Sequence, residues 1–439
     1  MRKIVKLEEY QPLSRIASLF VREENTVLLE SSLQGSLGQY SILARKPYLM
    51  LEKRRGKLYV NQEEQEEGFS EFLNTYLKDN REDNPTKLPL VDGALGFLSY
   101  DFLSETQDDF PQSLFYFYDE LIIEDHVEKA IYLIANGKKS QADEAIQALE
   151  CKIQNLEEEQ TTQTQAVDIS IHPNFEKEEY KNAVLQMINY IIEGDIYIAN
   201  MTQRLEIQST RKPYEAYERL CKQNPAPFAA YLNYPGLQVV SASPERFLQV
   251  KNGTVITRPI KGTRKRGETP EEDEALKEEL KQSEKDKSEL LMIVDLLRND
   301  LNRVCIPGSV RVDELFAIES YATVHHLLAT ISGQLEPEKT VVDLLDAAFP
   351  GGSITGAPKI RAMEIIAELE RGRRGLYTGS IGYISLNGDC DFNIVIRTAV
   401  HQNGVYQLGV GGGITCESEP EFEYEETLQK ARAILRALS

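Results

Sequence analysis

Apolar positions in the first 135 residues fall in short runs broken by turn-forming residues: "TVLLESS", "YLMLEKR", "KLYV" and "KAIYLIA", with the glycine-rich "DGALGFLSYDF" among them. Runs of this length bounded by turns predict strands, and the region reads as α+β. The period changes over residues 140–160, "SQADEAIQALECKIQNLEEEQ", where apolar residues recur at helical spacing. The polar, unpatterned "TTQTQAVDIS" (161–170) follows, so a boundary is expected near 160–172, with one region at 1–160 and a second at 172–439. From residue 176 onward longer helical patterns alternate with apolar strands, and no internal repeat is visible.

Local signals sharpen the second region. Thr269 followed by Pro270 predicts a helix start, with Thr269 as N-cap and Glu272 completing a capping box. Near the end, "GVGGGIT" (409–415) precedes a helix opened by Pro420, with acids in its first turns and Arg432 and Arg436 toward its close, as the helix dipole favours. Glu423, Glu426 and Lys430 are spaced three and four apart and share one face. Such a stripe either holds a divalent cation and an anionic ligand together or is an ordinary Glu–Lys pair on a wet helix. The adjacent Gly411, Gly412 and Gly413 favour the first, because side-chain-free residues let backbone N–H groups approach a carboxylate or phosphate.

The stretch "TRPIKGTRKRG" (257–267) concentrates Arg258, Lys261, Arg264, Lys265 and Arg266 in a chain of net charge -21. Arg264–Arg266 read as a solvated basic turn, and the acidic patches "QEEQEEG" and "PEEDEALKEEL" as solvated faces. Lys261 differs, lying between the apolar run "TVITRPI" and a glycine able to end that strand. Its stem is expected to turn inward, where an amine's pKa falls and it can act as a nucleophile.

Composition narrows the classes. The length of 439 residues and 41% hydrophobic content suit a folded protein with a substantial core. The excess of 70 acidic over 49 basic side chains argues against a nucleic-acid or anionic-membrane partner. Cys151, Cys221, Cys305, Cys390 and Cys416 are scattered without C-x-x-C spacing, so neither a disulfide framework nor a zinc site is expected, and a reducing cytoplasm is. No signal peptide or membrane span is expected either. "GGSITGAPK" is no P-loop, because Ala357 and Pro358 separate Gly356 from Lys359, and "GDCDF" around Cys390 is no glutaminase elbow. The chain is therefore not expected to make its own ammonia from glutamine.

Several segments together resemble the chorismate-utilising enzymes: "LLESS", "GALGFLSYDF", "GDIYIANMTQR", "NPAPFAAYL", "SASPERF", "RPIKGTR", "LLMIVDLLRNDL", "ATVHHLLATI", "FPGGSITGAPKIRAMEIIAELE", "YTGSIGYISLNGDCDFNIVIRT" and "GVGGGI…EYEETLQKA". They run in order over nearly the whole chain. The resemblance implies an α+β fold of two large antiparallel β-sheets packed as a sandwich with surrounding helices. Lys261 matches the aminodeoxychorismate-forming branch, in which this lysine attacks C2 of chorismate, whereas anthranilate-forming members usually carry alanine. The implied reaction is amination of chorismate to 4-amino-4-deoxychorismate for p-aminobenzoate and folate supply, with ammonia from a separate glutamine amidotransferase subunit. An anthranilate-forming enzyme, and a non-catalytic chorismate- or tryptophan-binding regulator, are the alternatives.

The resemblance also assigns roles. Glu245 is implied as general acid, and Glu289 and Glu426 as Mg²⁺ carboxylates with Glu423 close by. Gly411, Gly412 and Gly413 with Lys430 are implied at the ring carboxylate, where His326 also falls. Tyr377 and Arg397 match the pair on the enolpyruvyl carboxylate. Ile198 stands where the isochorismate-forming members have a water-activating lysine, and departs from the glutamine of the aminating branches. Glu30, Ser31, Pro227 and Phe228 resemble a tryptophan pocket, either a feedback site or a permanently filled one, with Ala229 replacing a larger residue.

Overall fold

The computed structural model describes residues 1–33, 35, 37–104, 106–156, 166–321 and 324–439. Among them every strand pairing is antiparallel. Two long strands, Tyr40–Arg54 and Ser113–Asp125, pair along most of their length, with a register shift between Pro47 and Leu49. Lys46 beside it has a φ of 55°, and the irregularity bends the ribbon. On one side of the bend the ribbon recruits Thr26–Glu30 and Ala130–Ala135; on the other it recruits Lys57–Val60 and Gly93–Leu98.

Two arms grow from this ribbon. The first runs Thr26–Glu30, Phe228–Tyr234, Leu237–Ser243, Thr398–Gln402, Val405–Ile414, Ile198–Gln208. The second runs Gly93–Leu98, Ser380–Ser385, Cys390–Asn393, Arg246–Lys251, Thr254–Arg258, Val324–Gln334, Arg311–Ser320. Alternate side chains sort by face. Ala230, Leu232 and Val239 of the first arm share a core with Leu95, Phe97 and Ile381 of the second, so the arms pack face to face. Ala229, Tyr231, Val240 and Ala242 point the other way, onto Leu220 and Ile434 of helices Pro213–Gln223 and Pro420–Leu438. The second arm's outer face is covered by helices Glu284–Asn302 and Val341–Ala348 through Leu290, Ile293, Val294 and Leu344. Each such fully buried side chain contributes about 1.5–3 kcal/mol, enough to hold helices onto both outer faces. The α+β sandwich that the family resemblance implies is the fold observed.

The structure corrects several local expectations. Ser113–Asp125 has every position buried, so it lacks the alternation that marks a half-exposed strand. Gly262 does not end a strand: its φ of 77° makes a bulge between Lys261 and Thr263 within strand Ile260–Lys265. The basic stretch is not a solvated turn. Arg264 pairs with Glu279 and Asp286, and Arg266 grips Asp273 with two nitrogens, each at 2.7 Å, so acids of the helices Pro270–Gln282 and Glu284–Asn302 neutralise it. Thr269 caps that helix by accepting from the Glu272 N–H, but the Glu272 carboxylate accepts from the N–H of Glu268, leaving the box open. Residues 160–165 of the expected boundary, and Ala322 and Thr323 of "ATVHHLLATI", lie outside the described residues.

Candidate active site

The site is built on strand Val405–Ile414, where side chains alternate between faces. Gly409, Gly411 and Gly413 share one face, and their missing side chains leave a floor. A Cβ on Gly413 would lie 3.3 Å from Lys261 Nζ, 3.4 Å from Asn200 Oδ1 and 3.5 Å from Ile198 Cδ1. The Tyr377 ring lies directly against Gly409. Lys261 thus closes one end of the floor and Tyr377 the other. Any side chain at Gly411 would strike the neighbouring strand, with Thr202 Cγ2 at 2.6 Å.

Lys261 is half-buried, pairs with Leu327, and immediately precedes the Gly262 bulge. Its charge bears on two carboxyls, Glu245 and Glu289. Glu245 is 6% exposed and accepts a 2.7 Å hydrogen bond from Ser353 Oγ. Burial pushes its carboxyl up to about 7, against the pull of Ser353 and Lys261. Near neutrality this group is poised to give and take a proton. Ser353 is held in turn, because Asn200 Nδ2 donates to its carbonyl at 2.9 Å.

On the opposite face of the same strand, Gly412 makes room for the carboxylates. A Cβ there would lie 2.5 Å from Glu426 Oε2, 3.3 Å from Glu423 Oε2 and 3.6 Å from Lys430 Nζ. The three come from one stripe of helix Pro420–Leu438. Burial raises Glu289, with Asp286 and Glu426 adding to the rise and Lys261 and Lys285 opposing it. Glu423 is raised likewise, by burial first and then by Glu426. No group of three or more His, Cys, Asp or Glu side chains among the described residues is arranged to share one metal ion. Instead Lys430 lies 3.3 Å from Glu426 and donates to the Gly411 carbonyl at 2.8 Å. The donor chemistry nonetheless fits a hard cation: oxygen ligands that burial and mutual repulsion disfavour as anions, which a divalent ion would relieve.

The remaining candidates lie on neighbouring segments. Arg397 lies with His326, Tyr321 and Pro244 around a small cavity of about 20 Å³. Its backbone is left-handed, φ 51°, an uncommon state for a residue with a side chain. Burial lowers its pKa, and its side chain makes no hydrogen bond or ion pair among the described residues. An unpaired guanidinium in such a place fits an incoming carboxylate. His326 bonds Thr263 Oγ1 through Nδ1 at 2.9 Å, and burial, followed by the charge of Arg397, pushes its pKa down to about 4, so the ring is neutral. Tyr377 lies against Gly409, near Arg374 and Glu370, on the segment that pairs beside Arg397 through the Thr378 N–H to the Val395 carbonyl at 2.7 Å. Ile198 is buried, 2% exposed, in the wall beside Gly413.

Glu30, Ser31, Pro227 and Phe228 come together in a separate cavity of about 270 Å³ between the arms. Glu30 accepts from Tyr217 at 2.6 Å, and burial raises its carboxyl. Ser31 donates to the carbonyls of Tyr40 and Pro227 at 3.0 and 3.1 Å. Sequence reasoning missed Ser353 and Asn200, which orient the Glu245 carboxyl, and Lys285 beside the carboxylates. The first two lie in quoted segments, but nothing in their spacing pointed at Glu245.

Comparison with known proteins places this site in a class. The family described as chorismate binding enzyme matches residues 26–436, and the chain belongs to that family. It is 38% identical to aminodeoxychorismate synthase component 1 of Bacillus subtilis, over 97% of this chain and 94% of the relative. It is also 36% identical to anthranilate synthase component 1 of Acetivibrio thermocellus, over 99% and 94%. The crystal structure of anthranilate synthase component I from Streptococcus pneumoniae superimposes with a TM-score of 0.81 at 32% identity, covering 92% of this chain and 93% of that one. No helix among the described residues is long and apolar enough to cross a membrane.

Proposed function

We propose that the chain is the synthase subunit of an aminodeoxychorismate synthase, aminating chorismate at C4 to 4-amino-4-deoxychorismate. The observation that carries this reading is the placement of Lys261 Nζ at the Gly413 end of the glycine floor, within the field of Glu245. The similarity to aminodeoxychorismate synthases from Bacillus subtilis and, at 41% identity, Salmonella typhimurium supports it. The Lys261 Nζ lone pair bonds to C2 while the ring double bond shifts and the C4 hydroxyl leaves; protonated Glu245 supplies the proton that makes it water. Ammonia then bonds to C4, the double bond shifts back, and Lys261 leaves C2 as a neutral amine. The Glu245 carboxylate takes the surplus proton, so chorismate and ammonia become product and water.

Arg397 receives one substrate carboxylate and the Gly411–Gly413 backbone, with Lys430, the other. Glu289, Glu426 and Glu423 would hold Mg²⁺, which when bound offsets the charge of the ring carboxylate. Ammonia comes from a separate glutamine amidotransferase, tryptophan is the proposed occupant of the cavity at Glu30, and the subunit works in the cytoplasm.

The reading is tested by incubating the chain with chorismate, Mg²⁺ and an ammonium salt and identifying the product by mass spectrometry. Aminodeoxychorismate without pyruvate is expected, with none formed in a chelator or from glutamine alone. Lys261→Ala should lower turnover about 10³-fold or more while still binding chorismate. Fluorescent anthranilate with pyruvate would instead establish the second reading, which the Acetivibrio thermocellus and Streptococcus pneumoniae relatives favour.

A further inference from the structure

A second cavity of about 270 Å³ opens on the molecule away from Lys261, and no role proposed above uses it. Its mouth carries the exposed Asp108, Asp109, Arg371 and Asn403, and it narrows to the buried Thr202, Thr398 and Gly409 and the half-buried Tyr377. Gln407 and Gly409 line this cavity, whereas Gly411 and Gly413, the next residues on the same face of the strand, form the substrate floor. The two chambers thus lie in line along one strand face, and the Tyr377 ring against Gly409 stands between them.

We propose that this funnel is the passage by which ammonia reaches the substrate, with Tyr377 as its inner gate. The inference rests on the amination reading above. When ammonia must arrive, that reading has the substrate on the Gly411–Gly413 floor, with Lys261 at its far end and the carboxylates behind Gly412. The cavity at Glu30, of equal volume, includes none of the floor glycines, and the one at Arg397 holds only about 20 Å³. The funnel alone of these three touches the floor strand.

The wall chemistry suits the same cargo. Charges of both signs line the funnel, Asp108, Asp109 and Glu370 against Arg204, Arg371, Arg373 and Arg374, and Asp109 is paired with Arg55 at 2.6 Å, so the wall has no strong net field. Farther in, Arg204 and Arg374 line the wall, and Arg374 is fixed by Glu370 through hydrogen bonds of 2.6 and 2.9 Å. So paired, Arg374 presents little net charge, and neutral ammonia, the form that can attack carbon, passes such a wall without needing a counter-ion. Arg374 also donates to the carbonyls of Ile354 and Asn200, at 2.8 and 2.9 Å, so the inner wall is stiff.

Bulk placed in the funnel tests this without touching the machinery at the floor. Gln407→Trp and Gln402→Trp narrow it from neighbouring strands, and circular dichroism with thermal melting checks that each folds. With the chain alone, chorismate, Mg²⁺ and varied ammonium chloride at fixed pH, kcat/KM for ammonia should fall at least about tenfold while KM for chorismate stays within about twofold. The smaller Gln407→Ala should keep parental values for both. A parent chain that aminates chorismate, with either folded tryptophan variant at parental kcat/KM for ammonia, overturns the passage and leaves the functional reading standing. A parent chain that consumes chorismate without incorporating ammonia overturns both.

Discussion

At the scale of single residues, Glu245 makes the sharpest prediction. Its carboxyl titrates near 4.5 when unfolded and at about 7 in the fold. Between those values the folded chain keeps a proton that the unfolded chain has lost, so this group makes stability decline as pH rises from about 4.5 to 7 and level off above. At about 1.4 kcal/mol per unit the loss is on the order of 3 kcal/mol. Glu245→Gln removes the titration. The variant should lose turnover by about 10²–10⁴-fold yet show a smaller drop in melting temperature between pH 5 and pH 8 than the parent. Identical pH dependence of melting in the two proteins would refute the assignment. The sequence made Lys261 legible because a lone lysine in "PIKGT" stands out, but the proximity of Lys261 to Glu245 was not: 16 residues and a bulge separate them, and only strand pairing brings them together. Arg397 and Tyr377 are 20 positions apart, and it is the backbone bonds of Thr378 and Gly379 to Val395 that lay their segments side by side, which spacing along the chain does not encode.

At the scale of elements, the site depends on how helix Glu284–Asn302, bearing Glu289, is fixed against the "GGSITGAPK" segment, bearing Ser353. Lys359, at the start of helix Lys359–Leu369, donates to Asp300 at 2.6 Å and to the Ala348 carbonyl at 2.8 Å. Burial pushes Asp300 up and Lys359 down, so each ion relies on the other. Removing one partner strands a buried charge, which costs about 3–5 kcal/mol. Lys359→Met alone should therefore destabilise by that amount in urea unfolding, and Lys359→Met with Asp300→Leu should recover most of it. Equal losses in the single and double variants would show that the pair is not the brace. The sequence placed the helices and short strands well because their periods are clean. It missed Ser113–Asp125 and the neutralised basic strand, because one is buried on both faces and the other acquires its partners from a different element.

At the scale of the whole molecule, the strands on either side of the expected boundary pair with each other. Thr26–Glu30 lies on Phe228–Tyr234, and Gly93–Leu98 on Ser380–Ser385. The layer between the arms draws Val27, Ile42, Leu95 and Phe97 from one side of the boundary and Leu232, Val239 and Val395 from the other. The N-terminal part also steadies the site. Tyr100 donates its N–H to the Gly375 carbonyl at 2.8 Å, Asp101 accepts from the Gly375 N–H at 3.3 Å, and the Arg374 guanidinium sits 4.6 Å over the Tyr100 ring. These contacts hold the segment that carries Tyr377. Residues 172–439 produced alone would expose two strand edges and half of the inter-arm layer, a surface prone to self-association. That fragment should aggregate or melt without a cooperative transition, and co-expression with residues 1–171 should restore a soluble complex that binds chorismate. A monomeric 172–439 fragment with a sharp thermal transition would instead mean that the second region folds by itself and that the pairing across the boundary is docking between finished units.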